Sequence, residues 1–176
     1  EVYQSFVKIM NWTDQFRKLD VRTNADSPRD VAIGLGFGAV GIGLTRIEHM
    51  VHGNDRLLPL RKFILSHVDA VKAAALTEIQ EFLANDFVGI FTALKGFPAT
   101  VRLLDPPLHE FMPHTAEEVA ELAAGMQMDA HDIQVVLDNM HESNPMLGYR
   151  GCRLGVTSPE LTAIQVRAIL ASAITV

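Results

Sequence analysis

Cysteine, long apolar runs and positive charge are scarce in this sequence, and each shortage argues against a class of protein. The single cysteine, Cys152, has no partner for an internal disulfide, as is typical of proteins from reducing compartments. No apolar run approaches the roughly 18 residues that a membrane-spanning helix needs, so we expect no membrane contact. Lysine and arginine number 15 against 21 acids, and the net charge of −6 argues against nucleic acid as a partner.

The length of the chain and its two ends set the expected organisation. The 176 residues suffice for one domain with a core, and we divide them into a leading helix or linker at 1–18 and, at 19–176, the first half of a larger barrel domain. The N-terminus lacks the features of a signal peptide, so we expect a cytoplasmic protein. The apolar C-terminal segment 168–176 is interpreted as a cut inside a domain.

Short apolar strands alternate with helices along the chain. Strands are predicted at 19–24, 40–44 and 99–104, with a fourth in the glycine-rich region 145–156. Helices are predicted at 1–18, 27–36, 55–95, 129–140 and from the N-cap residues Thr115 and Ser158 onwards. This alternation indicates an α/β fold with parallel strands and outer helices, and about four such units form the first half of a (β/α)8 TIM barrel.

Three arginines belong to these predicted strands or strand ends, where a charge is costly unless an anion meets it. Arg46 follows the apolar run 40–44, Arg102 lies in the third strand, and Arg150 follows a glycine-containing turn. Taken singly, each arginine is best explained by a surface ion pair. Taken together, at the strand ends of a barrel, they indicate one pocket for a phosphate and a carboxylate group.

The other motifs are better explained by structural roles than by functional sites. Residues 36–41 match G-x-G-x-x-G, but a predicted helix precedes them and a strand follows, the reverse of a dinucleotide-binding site, so we interpret them as a helix end. Glu48, His49 and His52 form E-H-x-x-H instead of the zinc motif H-E-x-x-H, which favours a structural role over a metal site. A reactive thiol at Cys152, beside an arginine, is the less common case, and we expect a buried, inert cysteine.

Three segments carry a resemblance to a known family. They are Gly-Ile-Gly-Leu-Thr-Arg-Ile-Glu-His-Met (41–50), Val-Arg-Leu-Leu-Asp-Pro-Pro-Leu-His-Glu-Phe (101–111) and Asn-Pro-Met-Leu-Gly-Tyr-Arg-Gly-Cys-Arg-Leu (144–154). Together they are similar to the phosphoenolpyruvate-utilising enzymes and, within that family, most closely to the pyruvate, phosphate dikinases. The resemblance extends over roughly residues 10–175. Its middle segment separates the dikinases from the phosphoenolpyruvate synthases and from the enzymes I of sugar phosphotransfer.

The resemblance implies the phosphoenolpyruvate/pyruvate-binding barrel of an enzyme that interconverts ATP, phosphate and pyruvate with AMP, diphosphate and phosphoenolpyruvate. A phosphohistidine on a separate domain carries the phosphoryl group. Arg46, Arg102 and Arg150 would contact this group or the phosphate of phosphoenolpyruvate, in keeping with the need for fixed cations in phosphoryl transfer. Side chains expected to support them are those of Glu48, His49, Asp105, His109, Asn144 and Arg153.

The resemblance also implies parts that lie outside this sequence. The family's Mg²⁺ ligands and its proton-donating cysteine belong to the second half of the barrel, so Cys152 is not that cysteine. Thr45 and Ile47 flank Arg46 where the family usually has cysteine and threonine. We therefore expect part of an enzyme that does not turn over alone and that self-associates through its open sheet edges.

Two alternatives remain at this point. A naturally short, non-catalytic module could keep the same anion pocket. A domain of a phosphoenolpyruvate synthase or of an enzyme I is the other alternative, and segment 105–111 argues against it.

Overall fold

The computed structural model of the chain describes residues 1–53, 56–140 and 144–176. These residues form a mixed α/β structure in which mostly helices surround a three-stranded parallel sheet. Its strands are β1 (Thr23–Asn24), β2 (Ile42–Arg46) and β3 (Ala99–Arg102). The α-helices are α1 (Val2–Asp14), α2 (Pro28–Gly36), α3 (Ile47–Val51), α4 (Leu57–Leu65), α5 (Asp69–Leu94), α6 (Ala116–Met126), α7 (Ala130–Met140), α8 (Gly151–Thr157) and α9 (Pro159–Thr175).

The sheet has the order β1-β2-β3, and both neighbouring pairs are parallel. Helix α2 connects β1 to β2, and helices α3, α4 and α5 connect β2 to β3. Because helices connect consecutive parallel strands, the carboxyl ends of all three strands meet at one edge of the sheet. The alternation predicted from the sequence is confirmed for these three strands.

Helix starts follow the predicted caps. The Ser27 hydroxyl accepts a hydrogen bond from the backbone N–H of Asp30 at 3.2 Å, and Pro28 opens α2. Thr115 and Glu118 form a complete capping box at the start of α6. Helix α2 ends at Gly36 and β2 begins at Ile42, which confirms the helix-before-strand order of segment 36–41.

The hydrophobic core lies between the sheet and its covering helices. The long helix α5 packs against α9, α4 and α2, and its Leu83 and Phe87 are fully buried together with Ile42 of β2. The predicted helix 55–95 is divided into α4 and α5, and its proposed start at 54–55 lies outside the described residues. A smaller cluster joins α6 to α7 around the fully buried Ile133.

The predicted fourth strand within 145–156 is wrong. A short 3₁₀ helix spans Pro145–Leu147, and the α-helix α8 occupies Gly151–Thr157. Arg150 has an extended backbone directly before α8, and Gly151 then turns the chain at φ +53°. Because Leu154 of α8 is buried in the main core, helical packing decides the conformation of this glycine-rich segment.

Helix α1 makes the weakest connection to the rest of the fold. All its residues are described, and none of them is buried. Phe6 packs edge-on against Phe37, which follows α2, with ring centroids 5.7 Å apart. In the described ranges, no helix combines the length and the apolar character needed to cross a membrane.

Candidate anion-binding site

Two of the three predicted arginines lie side by side at the carboxyl edge of the sheet. Arg46 is the last residue of β2, Arg102 is the last residue of β3, and the two are register partners. Neighbouring strands are about 4.8 Å apart. Because like charges placed opposite each other on adjacent strands are destabilising, this pair needs anionic neighbours.

Asp26 is the first of these neighbours, two residues after β1. Its Oδ1 accepts a hydrogen bond from the backbone N–H of Arg46 at 2.7 Å, and its Oδ2 lies 3.3 Å from Arg46 Nη1. The same Oδ2 is 2.7 Å from His49 Nδ1. Sequence reasoning missed Asp26, although an acid directly after the first strand belongs to the same edge as Arg46. The buried Thr45 hydroxyl donates to the carbonyl of Ala25 and so ties β2 to the chain that leaves β1.

Glu48 is the second acidic neighbour. It lies on α3, is only 3% exposed, and accepts a hydrogen bond through Oε1 from Arg102 Nη2. This hydrogen bond raises the pKa of Arg102, and burial of the guanidinium opposes the effect. Among the described residues, Glu48 Oε2 and Arg102 Nε are buried without a hydrogen-bond partner. The Arg102 side chain as a whole is nevertheless 40% exposed.

Asp105 joins the second arginine to the third. Its Oδ2 lies 2.5 Å from Arg150 Nη2 and 3.7 Å from Arg102 Nη1. Its backbone carbonyl also accepts a hydrogen bond from Arg150 Nε at 3.2 Å. The expectation that Arg150 sits on a strand end is wrong, because Arg150 is the N-cap of α8. The structure nevertheless brings its guanidinium to the same group of charges as Arg102.

The other predicted supporting residues divide into two groups. Glu48, His49 and Asp105 contact the arginines or their acids directly, as described above. Asn144 and Arg153 instead hold the loop before α8, since Asn144 Oδ1 accepts from the Met146 N–H at 3.0 Å and Arg153 Nη1 donates to the Gly148 carbonyl at 3.1 Å. His109 lies in the 3₁₀ helix Leu108–Phe111 and lines a cavity of about 190 Å³ together with Tyr149.

The structure separates the members of the E-H-x-x-H motif. Glu48 faces Arg102, His49 faces Asp26, and the His52 ring lies against the ring of Phe111 with centroids 5.4 Å apart. Within the described ranges, no three or more His, Cys, Asp or Glu side chains form a group that could hold a metal ion.

A cavity of about 350 Å³ lies between the end of β3 and helices α8 and α9. Arg102, Asp105 and Cys152 are among the residues that line it. The expectation of a buried cysteine is wrong, because Cys152 is exposed. Leu154, two residues further along α8, is by contrast buried in the core.

Gln165 fixes the chain between Arg102 and Asp105. This buried α9 side chain accepts a hydrogen bond from the Leu104 N–H at 2.8 Å and donates one to the Leu161 carbonyl at 2.9 Å. Sequence reasoning missed Gln165. The available signal was a long polar side chain at helical spacing from the apolar residues Leu161, Ile164 and Ala168 of the last helix.

Comparison with known proteins identifies the family of the chain. The chain belongs to the PEP-utilising enzymes, and residues 1–176 match the family described as PEP-utilising enzyme, PEP-binding domain. Its relatives carry a more particular name. The chain is 51% identical over 172 residues to the pyruvate, phosphate dikinase of Clostridium symbiosum, an alignment that covers 98% of this chain and 20% of that protein.

Two further relatives carry the same name in distant organisms. Identity is 48% to the pyruvate, phosphate dikinase of Giardia intestinalis, over 94% of this chain and 19% of the relative. It is also 48% to the chloroplastic pyruvate, phosphate dikinase of Flaveria trinervia, over 94% of this chain and 18% of the relative. The chain thus spans about a fifth of the length of these relatives. The resemblance inferred from segments 41–50, 101–111 and 144–154 is confirmed.

Proposed function

We propose that this chain supplies the phosphate-binding part of the phosphoenolpyruvate site of a pyruvate, phosphate dikinase. The reaction would transfer a phosphoryl group between a phosphohistidine on another domain and pyruvate. The observation that carries this proposal is the in-register pair Arg46 and Arg102, joined to Arg150 through Asp105. Membership of the PEP-binding domain family supports phosphoenolpyruvate or pyruvate as the ligand.

The chemistry of the ligand suits three guanidinium groups. Phosphoenolpyruvate carries a phosphate and a carboxylate, and arginine binds either group with two parallel hydrogen bonds. Negative charge spreads over the phosphoryl oxygens during transfer, and fixed cations stabilise it. Arg46, Arg102 and Arg150 would therefore bind the ligand and stabilise the transferring group.

The local charge is balanced before any ligand arrives. Three arginines face the three acids Asp26, Glu48 and Asp105. A guanidinium group has five N–H donors, so an arginine that already faces one carboxylate can still donate to a phosphate. We infer that the site recognises phosphate by oriented donors, since the local net charge is close to zero.

The acids at this edge do not fit a Mg²⁺ site. Each of them already faces an arginine, and magnesium in proteins needs oxygen ligands that are available to it. We therefore place the Mg²⁺ ligands of the dikinase reaction outside this chain and assign none of the reaction's metal chemistry to these residues. For the same reason, we expect no turnover by the purified chain alone.

The finer architecture is also a proposal. We infer that β1, β2 and β3 are the first strands of a (β/α)8 barrel, that residues 19–176 form the first half of this barrel, and that 1–18 lead into it. An apolar groove of about 400 Å³ beside β3 supports this inference, and it includes Phe91, Val101 and Ile169. Such a groove suits either further strands or a second copy of the chain, so self-association is expected at high concentration. A cytoplasmic location stays a prediction.

Calorimetric titration with phosphoenolpyruvate tests the proposed site. We expect the wild-type chain to bind and Arg102→Ala to bind about 10- to 100-fold more weakly, since a hydrogen bond to a charged group contributes roughly 1.5–3 kcal/mol. Arg29→Ala is the matched control, because Arg29 is exposed at the start of α2. Equal affinity of the wild type and Arg102→Ala, or no binding by a folded wild type, would contradict the proposal.

A further inference from the structure

Two buried polar atoms without hydrogen-bond partners belong to one ion pair. They are Glu48 Oε2 and Arg102 Nε, and in the described part of the chain no other buried side-chain nitrogen or oxygen lacks a partner. The pair is already joined through Glu48 Oε1 and Arg102 Nη2. A buried donor and a buried acceptor that stay unpaired are costly, so their shared location needs an explanation.

Guanidinium geometry supplies that explanation. The group presents a side edge formed by Nε and Nη2 and an outer edge formed by Nη1 and Nη2, and a carboxylate can bridge either edge with two parallel bonds. Glu48 Oε1 already occupies Nη2. A rotation that brings Oε2 to Nε would complete the side-edge pair and satisfy both unpaired atoms. Bridging the outer edge instead would leave Nε buried and unpaired.

We propose that Glu48 is a positioning residue that binds the side edge of Arg102 and thereby presents the outer edge to a phosphate. This inference rests on the proposed function, because it concerns the same phosphate site. Arg102 Nε is buried, so a dissolved anion can approach the guanidinium only through Nη1 and Nη2. Nη1 lies 3.7 Å from Asp105, which is too long for a hydrogen bond, so its donors are oriented without being used by that acid.

The place of Glu48 in the chain fits this role. Glu48 follows Arg46 by two residues. The junction of β2 and α3 therefore includes both Arg46 and the acid that positions Arg102. Glu48 is 3% exposed and thus acts on a ligand through Arg102. The outer edge of Arg102 and the Arg150 guanidinium meet at Asp105, where one phosphate could contact both.

A double-mutant cycle separates positioning from general structural support. Phosphoenolpyruvate is titrated against the wild type, Glu48→Gln, Arg102→Lys and the double variant of the full 176-residue chain. Lysine has a single ammonium group and therefore lacks the Nε–Nη2 edge that Glu48 binds in Arg102. We expect Glu48→Gln to weaken binding about tenfold with Arg102 present and less than twofold with lysine there. An equal loss in both backgrounds, or no loss with Arg102 present, would overturn the inference. Glu121→Gln, an exposed change on α6, is the control.

A second measurement needs no ligand and applies even where the lysine variants bind too weakly to titrate. In ¹H–¹⁵N spectra of arginine side chains, the Nε–H signal that disappears in Arg102→Lys belongs to Arg102. We expect this proton to exchange slowly with water in the wild type and at least tenfold faster in Glu48→Gln. Unchanged exchange would overturn the inference.

The outcomes also separate the two proposals. If Arg102→Ala binds phosphoenolpyruvate as well as the wild type does, the proposed function fails. If Arg102→Ala loses affinity and Glu48→Gln does not, only the positioning role of Glu48 fails.

Discussion

The sheet and the helical region that follows it position their arginines by different means. Arg46 and Arg102 are the last residues of two paired strands, so the backbone ladder sets their relative position. Arg150 belongs to the region 105–157 and contacts both the carboxylate and the backbone carbonyl of Asp105. A ladder fixes the backbone, whereas a guanidinium contact fixes only the end of a long side chain. The site thus combines a part fixed by pairing with a part fixed by side chains.

This difference predicts which arginines a substitution in each region displaces. A change that disturbs β2–β3 pairing should disturb Arg46 and Arg102 together, and through Asp105 also Arg150. A change confined to the helices after β3 should leave the strand-end pair in place. The first three of the four predictions below test this difference, beginning with the largest expected effect.

The largest effect is expected from Gly41→Ala at the start of β2. Gly41 has φ +144°, and a Cβ there would lie 2.5 Å from the Pro98 carbonyl oxygen. That carbonyl accepts the hydrogen bond of the Ile42 N–H, so the clash falls on the β2–β3 ladder itself. We expect a loss of at least about 3 kcal/mol in the free energy of unfolding, measured by urea denaturation.

Gly38→Ala is the matched control for this prediction. Gly38 also has a positive φ, +95°, but a Cβ there meets no atom within 4 Å. Only backbone strain then remains, and we expect a loss of about 1–2 kcal/mol. Equal losses in the two variants would mean that close strand packing at Gly41 does not limit the sheet.

A smaller effect is expected where the two regions join. Gln165→Leu removes the acceptor of the buried Leu104 N–H, and we expect a loss of about 1–3 kcal/mol in the free energy of unfolding. Because Leu104 precedes Asp105, affinity for phosphoenolpyruvate should fall as well. Gln134→Leu is the control, since the Gln134 side chain is exposed and donates a hydrogen bond to Asp138 on the same helix. Wild-type stability of Gln165→Leu would show that α9 does not hold this loop.

The same division explains what could be predicted from the sequence. Apolar runs, N-caps and glycines are local signals, and they identified β2, β3 and α2 together with two strand-end arginines. Segment 145–156 has conflicting local signals, and its helical state depends on burying Leu154 in a core made by distant residues. Burial against distant residues cannot be predicted from a short window of sequence.

Two of the site's three acids, Glu48 and Asp105, were predicted from the sequence as supporting residues, Asp26 was missed, and the arginine that each acid faces was not predicted. Asp26 and Glu48 lie 20 and 54 positions from the arginines that they bind, Arg46 and Arg102. A pairing across such a distance follows only from the strand order. The cations and the expected ligand could therefore be predicted from the sequence, whereas the pairing of each arginine with its acid needed the structure.

The smallest effect is expected at the start of α6, within the region after β3. Thr115→Ala removes the hydroxyl that accepts from the Glu118 N–H, and we expect a loss of about 1 kcal/mol in the free energy of unfolding. Affinity for phosphoenolpyruvate should stay unchanged, because this cap lies away from the β2–β3 ladder. A marked loss of affinity would contradict the proposed independence of the strand-end arginines.

The same cap has a defined pH dependence. The backbone N–H groups of His114 and Thr115 lower the pKa of Glu118 below its ordinary value of 4.5. A lowered pKa in the folded state means that the Glu118 contribution is fully present above pH 4.5 and is lost as pH falls through the lowered value. Urea denaturation from pH 7 down to pH 3 should therefore show the stability difference between the wild type and Glu118→Gln shrinking below pH 4.5. A difference that stays constant or grows towards low pH would mean that the charged carboxylate does not stabilise the cap.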